Sequence, residues 1–380
     1  MRVMGFMSGT SLDGVDVAII ETDGRDDVVQ GATGFAAFSD GERAILARAT
    51  RDALAWNGYG DQPASLAGAA GVIEAAHVLA GRDLLSRCGP VDLIGFHGQT
   101  VLHRPERGLT LQIGDPQVVA DGLGVPVVAQ MRQDDLQAGG QGAPLVPAYH
   151  AALARSLGCP GPVAFLNIGG VANLTWIGRD GALVAFDTGP GNGLIDEVVQ
   201  ACGVGRYDDG GRLARAGRVD QERLAKLLEH PYFRGRGARS LDRYDFALDW
   251  AEGRKLEDVV ATLTAFTAEA VCLALDHIPE APDLWVLCGG GAHNPAMVDA
   301  LRQRLGACRL ASDLGLRGDY IEAEAMAYLA ARSLAGLPLT WPETTGVRTA
   351  STGGRLWQPG GGRIPLADAP SVGCRAAATL

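Results

Sequence analysis

Arg2-Val3-Met4-Gly5-Phe6-Met7-Ser8-Gly9-Thr10-Ser11-Leu12-Asp13-Gly14-Val15-Asp16-Val17-Ala18-Ile19-Ile20-Glu21 decides how the rest of the chain is read. Residues 2–7 and 15–21 are short apolar runs of the kind that form buried strands, and Ser8–Gly14 between them is a glycine-bearing polar loop. A polar turn at Thr22–Asp27 closes the second run. The same outline returns further on: VAFLNI at 163–168, Gly169-Gly170, VANLTWI at 171–177, then the turn Gly178-Arg179-Asp180-Gly181. Two strand, glycine turn, strand units about 160 residues apart suggest two related lobes, although any two hairpins share part of that outline.

Between and after these units, strands and helices alternate. Residues 65–88 form an Ala/Leu/Val-rich helix, and 91–96 a buried strand running into His97-Gly98-Gln99-Thr100. Phe186-Asp187-Thr188-Gly189-Pro190-Gly191-Asn192 leads into an apolar helix from about 194. A helix over 257–278 precedes the strand Leu284–Cys288, and Asn294-Pro295 is an N-cap and first-turn pair for a helix over 295–305. Glu322–Ala335 is the last long helix. The alternation specifies an α/β protein with mixed sheets. The tail 336–380 is rich in Gly and Pro, and its last dozen residues are expected to be mobile.

Composition narrows the function. With 47% hydrophobic and 20% charged residues the chain can bury a large core, and no G-X-Y period accompanies its 53 glycines in 380 residues. A net charge of −11 without a long basic run argues against nucleic-acid and membrane partners. Seven scattered cysteines without a C-x-x-C pair fit reduced thiols. The apolar N-terminal run is too short for a signal peptide, and Thr262, Thr264, Thr267 and Glu269 interrupt the longest apolar helix, so a cytoplasmic location is expected.

The glycines cluster where strands end: Gly9, Gly14, Gly98, Gly114, Gly139-Gly140-Gly142, Gly169-Gly170, Gly189-Gly191-Gly193 and Gly289-Gly290-Gly291. Loops beyond strand ends expose backbone N–H groups, and several glycine turns meeting in one place make an anion cradle suited to phosphate. Neither a P-loop nor a G-x-G-x-x-G after the first strand is present, so a nucleotide would need another architecture.

Gly5 to Asp16 resembles the amino-terminal signature of the anhydro-N-acetylmuramic acid kinases, within the sugar kinase/Hsp70/actin superfamily. The resemblance continues through His97–Thr100, Leu111–Pro116, Ala138–Pro147, Asn167–Asn173, Phe186–Asn192, the GGGAHNP run at 289–295 and Glu322–Ala325. It implies a two-lobed actin-like ATPase of ribonuclease H-like βββαβαβα domains, with mixed sheets, flanking helices and a central cleft. Lobe I would span 1–130, rejoined by 337–380, and lobe II 131–336. The activity it implies is ATP-dependent opening of the 1,6-anhydro bridge and phosphorylation of the freed O6, giving N-acetylmuramic acid 6-phosphate in cell-wall recycling.

Carried over by position, Gly9, Thr10, Ser11, Leu12, Asp13, Gly14, Val15 and Asp16 form the first phosphate loop. Asn167, Gly169, Gly170 and Asn173 form the second, with Gly189, Gly191 and Asn192 also at the nucleotide, and Gly289, Gly290, Gly291 and Asn294 lie against the adenosine. Asp187 matches the catalytic aspartate. An ordinary Asp is ionised at neutral pH and can accept a proton from water attacking the anomeric carbon; locally, Asp187 could instead cap the following turn. Magnesium is expected between the β- and γ-phosphates, held by phosphates and water with Asp187 or Asp13 assisting; its protein ligands are not defined by the sequence.

The sugar carries a lactyl carboxylate, for which Arg132 is the expected partner through charge-assisted bonds. His97, Gln99, Thr100, Asp134 and Glu322 are further lining residues. Arg132 could otherwise pair with Asp134 or Asp135, His97 could be a neutral ring satisfying loop carbonyls, and Glu322 could serve a helix N-terminus. Two stretches depart from the usual pattern: Gln130-Met131-Arg132 stands where the family often reads Asp-Phe-Arg, and Ala238–Arg243 where a Pro-Lys-Ser-Thr-Gly-Arg-like run is common. They leave room for a kinase of another amino sugar. A non-catalytic nucleotide-gated binding protein is the third reading, and a homodimer is the commonest assembly.

Overall fold

The computed structural model describes residues 1–235, 241, 246–364 and 366. The chain forms two compact units, Met1–Leu153 with the described part of Tyr320–Leu380, and Ala154–Asp319.

In the first unit, β1 (Arg2–Met7), β2 (Gly14–Thr22) and β3 (Val28–Ala37) form an antiparallel meander. Helices α1 (Asp40–Trp56) and α2 (Ser65–Cys88) follow, then β4 (Leu93–Phe96). The hairpin β5 (Gln99–Arg104) and β6 (Leu109–Ile113) comes next, followed by α3 (Pro116–Leu123), β7 (Val127–Ala129), α4 (Met131–Gln137) and α5 (Pro147–Leu157). In the second unit the order is β8 (Val163–Ile168), β9 (Val171–Ile177), β10 (Leu183–Pro190), α6 (Gly193–Ala201), α7 (Arg212–Ala216), α8 (Gln221–Leu228), α9 (Leu256–Ala274), β11 (Leu284–Cys288), α10 (Pro295–Leu305) and β12 (Cys308–Leu310). The chain then returns to the first unit with α11 (Ile321–Leu334), α12 (Pro342–Thr345), β13 (Arg355–Gln358) and β14 (Gly362–Ile364).

The two sheets share one plan. In the first unit the order β14-β13-β7-β4-β1-β2-β3 contains β3-β2-β1-β4-β7, with β4 and β7 parallel to β1. In the second the order is β10-β9-β8-β11-β12, with β11 and β12 parallel to β8 and the first three strands antiparallel. Each unit therefore ranks its strands third, second, first, fourth, fifth, which is the ribonuclease H-like arrangement of an actin-like ATPase, present twice. The inner strands are almost continuously apolar because they are covered on both faces.

Close backbone approach fixes α11. Gly5 and Gly95 pair across β1 and β4, and a Cβ on either would fall 2.0 Å from a carbonyl oxygen of α11, Ala323 O or Met326 O respectively. Helix ends follow local chemistry: Ser39 and Glu42 form a reciprocal capping box at α1, Asp115 caps α3 before Pro116, and Asn294 caps α10 before Pro295.

Several expectations change. The unit boundaries fall at 153 and 319 where the sequence reading placed them at 130 and 336, because α11 packs on β1, β2 and β4 of the first sheet. The tail is partly ordered: β13 pairs with β7 and β14 with β13. The expected mobility of the last dozen residues concerns residues outside those described, as do Ala238–Ser240, Asp242 and Arg243 of the second departure. β3 has no apolar alternation to reveal it, since it carries Gly31, Gly34 and four alanine or threonine residues. The stretch Leu256–His277 is long and apolar enough to cross a membrane by composition, yet 67% of it is buried, and α9 packs on α6, α7, α8, α10 and β10 as a core helix.

Candidate active site

In the second unit the register sets three polar residues in one row. Asn167 pairs with Asn173, and Asn173 with Asp187, across β8, β9 and β10. All three are half-buried, while their neighbours Leu166, Ile168, Ala172, Leu174, Phe186 and Thr188 are buried. Directly opposed residues share a face of the sheet, so this row presents two amides and a carboxylate together beside the Gly169-Gly170 turn. The Asp187 carboxylate accepts the Leu241 N–H at 2.8 Å, and its backbone carbonyl accepts the Tyr232 hydroxyl at 2.5 Å. Asn173 Oδ1 is buried and has no hydrogen-bond donor among the described residues.

The Gly169-Gly170 turn is held by the next glycine loop. Gly191 N–H donates to Gly170 O at 3.0 Å and Asn192 N–H to Gly169 O at 2.8 Å. A Cβ at Gly191 would lie 2.0 Å from Gly169 O, and one at Gly189 would lie 2.8 Å from Ala270 Cβ. Of the residues expected at the nucleotide, Gly191 and Asn192 thus brace the phosphate-loop candidate, their N–H groups already donated within the protein, while Gly189 packs against α9. Thr267, read in the sequence only as an interruption of an apolar helix, adds its hydroxyl to Gly191 O at 3.0 Å. By contrast Gly170 has nothing nearer its missing Cβ than Gly193 Cα at 3.9 Å.

The GGG run divides in the same way. A Cβ at Gly289 would meet Asn167 Oδ1 at 2.2 Å and one at Gly291 would meet Ile168 Cγ2 at 2.3 Å, so both permit packing against β8; Gly290 faces open space. Asn294 is committed to α10, accepting from Ala296 and Met297 N–H at 3.0 and 3.3 Å.

In the first unit Gly9, Thr10 and Ser11 form the tip of the loop, with Thr10 and Ser11 exposed and no atom nearer a Gly9 Cβ than Ser11 Oγ at 3.7 Å. Leu12 takes φ +57°, and its N–H closes the turn onto Gly9 O at 3.2 Å. Asp13 is exposed and Asp16 half-buried. Val15 is fully buried in the core and Gly14 packs against Phe35 and Ala36, so these two shape the loop's base.

The sugar-side residues also separate. His97, 9% exposed, has Nδ1 2.8 Å from Gly98 O, and its Nε2 accepts the Arg132 Nε–H at 3.1 Å. Burial first, and then the Arg132 charge, bring its pKa down to about 3, so the ring is neutral. Arg132 sits in the first turn of α4, after Gln130 in left-handed backbone at φ +62° and the buried Met131. Burial raises the Glu322 pKa, and the Arg132 charge partly opposes that rise. Thr100 accepts from Gln112 Nε2 at 3.1 Å; Gln112 also bonds Thr110 and Gln133, a network in the β5–β6 hairpin that the motif reading missed. Alternating polar residues in LTLQI were its only signal.

Two expected lining residues are engaged elsewhere. Gln99, almost fully buried, donates to Gly9 O at 3.3 Å and braces the first loop. Asp134 binds Arg355 at 2.6 Å and Gly354 N–H at 3.0 Å, so it ties α4 to β13. Asp135, the alternative partner of Arg132, accepts from Gly142 N–H at 2.6 Å and the Thr345 hydroxyl at 2.8 Å.

A duplicated five-strand plan with a glycine turn after the first strand of each copy defines the class, an actin-like ATPase. The family model for anhydro-N-acetylmuramic acid kinase matches residues 1–359. An anhydro-N-acetylmuramic acid kinase of Phenylobacterium zucineum is 50% identical over 94% of this chain and 100% of its own length, and one of Caulobacter vibrioides is 48% identical over 94% and 98%. Among solved structures, a ROK family glucokinase from Streptomyces griseus in complex with glucose and AMPPNP aligns at 14% identity over 87% of this chain and 100% of that one, with a TM-score of 0.41. The chain belongs to the anhydro-N-acetylmuramic acid kinase family.

Proposed function

We propose that the protein is an ATP-dependent kinase that opens the 1,6-anhydro bridge of anhydro-N-acetylmuramic acid with water and phosphorylates the freed O6. Its products are N-acetylmuramic acid 6-phosphate and ADP, and its place is the recycling of cell-wall sugars. The observation that carries this reading is the family match through residues 1–359. The six described cysteines are all free thiols, which suits the reducing cytoplasm. A homodimer is the expected assembly, readable by sedimentation.

In this reading Asp187 is the general base. It takes a proton from the water that bonds to the anomeric carbon while the C1–O6 bond breaks; O6 then takes the γ-phosphoryl group as the bond to the β-phosphate breaks. The Leu241 N–H at one carboxylate oxygen and the Tyr232 hydroxyl on the carbonyl hold the residue in place for that transfer. Such a base contributes roughly 10²–10⁴-fold in rate. Gly9 to Ser11 and Gly170 offer backbone to phosphate, with Gly169 shaping the turn through its N–H to Val171 O at 3.2 Å, and Arg132 takes the lactyl carboxylate, with His97, Thr100 and Glu322 around it.

Magnesium, when bound, neutralises charge between the β- and γ-phosphates. Among the described residues no group of three or more His, Cys, Asp or Glu could hold an ion. Asn173 Oδ1, without a donor among the described residues and in one row with Asp187, is an oxygen acceptor of the type that suits water around a magnesium ion. Phosphates and water supply most of the oxygens around the ion in this reading, with Asp187 or Asp13 assisting.

The test is ADP release and product mass after incubation with ATP and either the anhydro sugar or free N-acetylmuramic acid. Phosphorylation of the free sugar alone would overturn the reading. Asp187→Asn should lower turnover by about 10²-fold or more while nucleotide binding persists; unchanged turnover would remove Asp187 from the role.

A further inference from the structure

We propose that His97 is a positioning residue for Arg132, a neutral acceptor that orients the guanidinium without adding negative charge and thereby sets the preference for a carboxylate-bearing sugar. The inference rests on the reading that Arg132 takes the lactyl carboxylate.

The tautomer follows from the partners. A carbonyl oxygen only accepts, so His97 Nδ1, 2.8 Å from Gly98 O, carries the proton. Nε2 is then a lone-pair acceptor, and the Arg132 Nε–H meets it at 3.1 Å. Both ring nitrogens are occupied, and the ring is 9% exposed at the end of β4, so its chemistry is directed at the arginine and not outward. An aspartate or glutamate in the same place would fix Arg132 as well, but it would add a negative charge that repels the incoming carboxylate.

The surroundings are consistent with a side chain held in one rotamer. A Cβ at Gly142 would strike Leu136 Cδ1 at 2.1 Å and stand 3.0 Å from Arg132 Cγ and 3.3 Å from His103 Cε1, so the backbone there closely bounds the arginine stem. Titratable groups electrostatically linked to this pair among the described residues include His103, brought down to about 4 by burial and the Arg132 charge, Glu322, raised by burial, and His77. The acids of α4 are engaged elsewhere, Asp134 with Arg355 and Asp135 with Gly142 and Thr345.

The experiment compares kcat and KM for the acid-bearing anhydro sugar and for the same anhydro amino sugar without its lactyl ether. His97→Leu should lower kcat/KM for the acid-bearing sugar about tenfold more than for the analogue, chiefly through KM. His97→Gln, which keeps a neutral acceptor, should restore most of that selectivity. An equal loss on both sugars, or no loss, would overturn the inference. If Arg132→Ala leaves selectivity intact, the underlying assignment of Arg132 fails; if it abolishes selectivity while His97→Leu does not, only the role of His97 fails. Should His97→Leu not fold, imidazole nitrogen shifts of the wild-type protein decide: a neutral Nδ1–H ring from pH 8 to 5 supports the proposal, and titration of His97 above pH 6 sinks it.

Discussion

Gly5 and Gly95 stand directly opposite one another on β1 and β4, and together they clear the space that α11 occupies. A methyl at Gly5 would lie 2.0 Å from Ala323 O and 2.5 Å from Ala327 N; one at Gly95 would lie 2.0 Å from Met326 O. These neighbours are backbone, so relief requires moving the helix. Gly5→Ala and Gly95→Ala should each destabilise the protein by about 3 kcal/mol, the upper part of the usual overpacking range. Urea unfolding measures it; a midpoint unchanged in either variant would contradict the packing.

The loop glycines should respond differently according to what faces them. Gly170→Ala meets only Gly193 Cα at 3.9 Å, an ordinary contact, and stability should stay within about 1 kcal/mol of the parent. Its methyl would stand where phosphate is proposed to approach, so the KM for ATP should rise about tenfold. Gly191→Ala should do the reverse, losing stability first, because its Cβ would strike Gly169 O at 2.0 Å. Thermal unfolding beside ATP kinetics separates the two; equal behaviour would erase the distinction between a ligand-facing and a bracing glycine.

How far the sequence carried depends on which feature is considered. The strands around both glycine turns were legible because apolar runs and glycine pairs have local signatures. The helices α2, α9 and α11 were legible from length and composition, and α10 from its Asn294-Pro295 cap. β3 and β13 were not, since their place comes from edge pairing with β2 and β7, which no local pattern encodes. Within the site, residue types pointed to Asp187, Arg132 and the loops, but hydrogen-bond ownership could not be read. Gln99, Asp134 and Asn192 look like ligands by type, yet each is engaged by a group distant in the chain or in a neighbouring loop. Thr267 was hidden for the opposite reason: a threonine in an apolar helix has a bland local explanation, and only the fold brings it to Gly191 O.

The Asp134–Arg355 pair separates an anchoring role of Asp134 from a sugar-binding one. Arg355 Nε and Nη2 lie 3.1 and 2.6 Å from one carboxylate oxygen, and Gly354 N–H binds the other. The pair is partly exposed, which reduces its worth, but the additional backbone bond supports it. Asp134→Ala should cost about 1–2 kcal/mol of stability and change the sugar KM less than threefold. Arg355→Ala should cost somewhat less, and the double variant less than the sum of the two. A large rise in sugar KM for Asp134→Ala alone would return Asp134 to the sugar site.

Acid should unfold this protein through its histidines. His77 and His103 are brought down to about 4, and His97 and His150 to about 3, each chiefly by burial that disfavours the charged ring. In the unfolded chain all four titrate near 6.5. The unfolded state therefore binds more protons once pH falls below about 6.5, and the stabilisation present above that value is lost progressively down to the folded pKa values of about 3 to 4. Each ring contributes about 1.4 kcal/mol per pH unit where only the unfolded form is protonated, so the four together can remove about 5 kcal/mol between pH 5.5 and 4.5. His77 is the cleanest probe, a fully buried ring set edge-on to Phe6 and Phe96 with Nδ1 on Ile73 O at 2.7 Å. His77→Leu should reduce the acid slope of the unfolding free energy by about one proton. A slope unchanged by that substitution would mean that His77 is protonated in the folded protein as readily as in the unfolded chain.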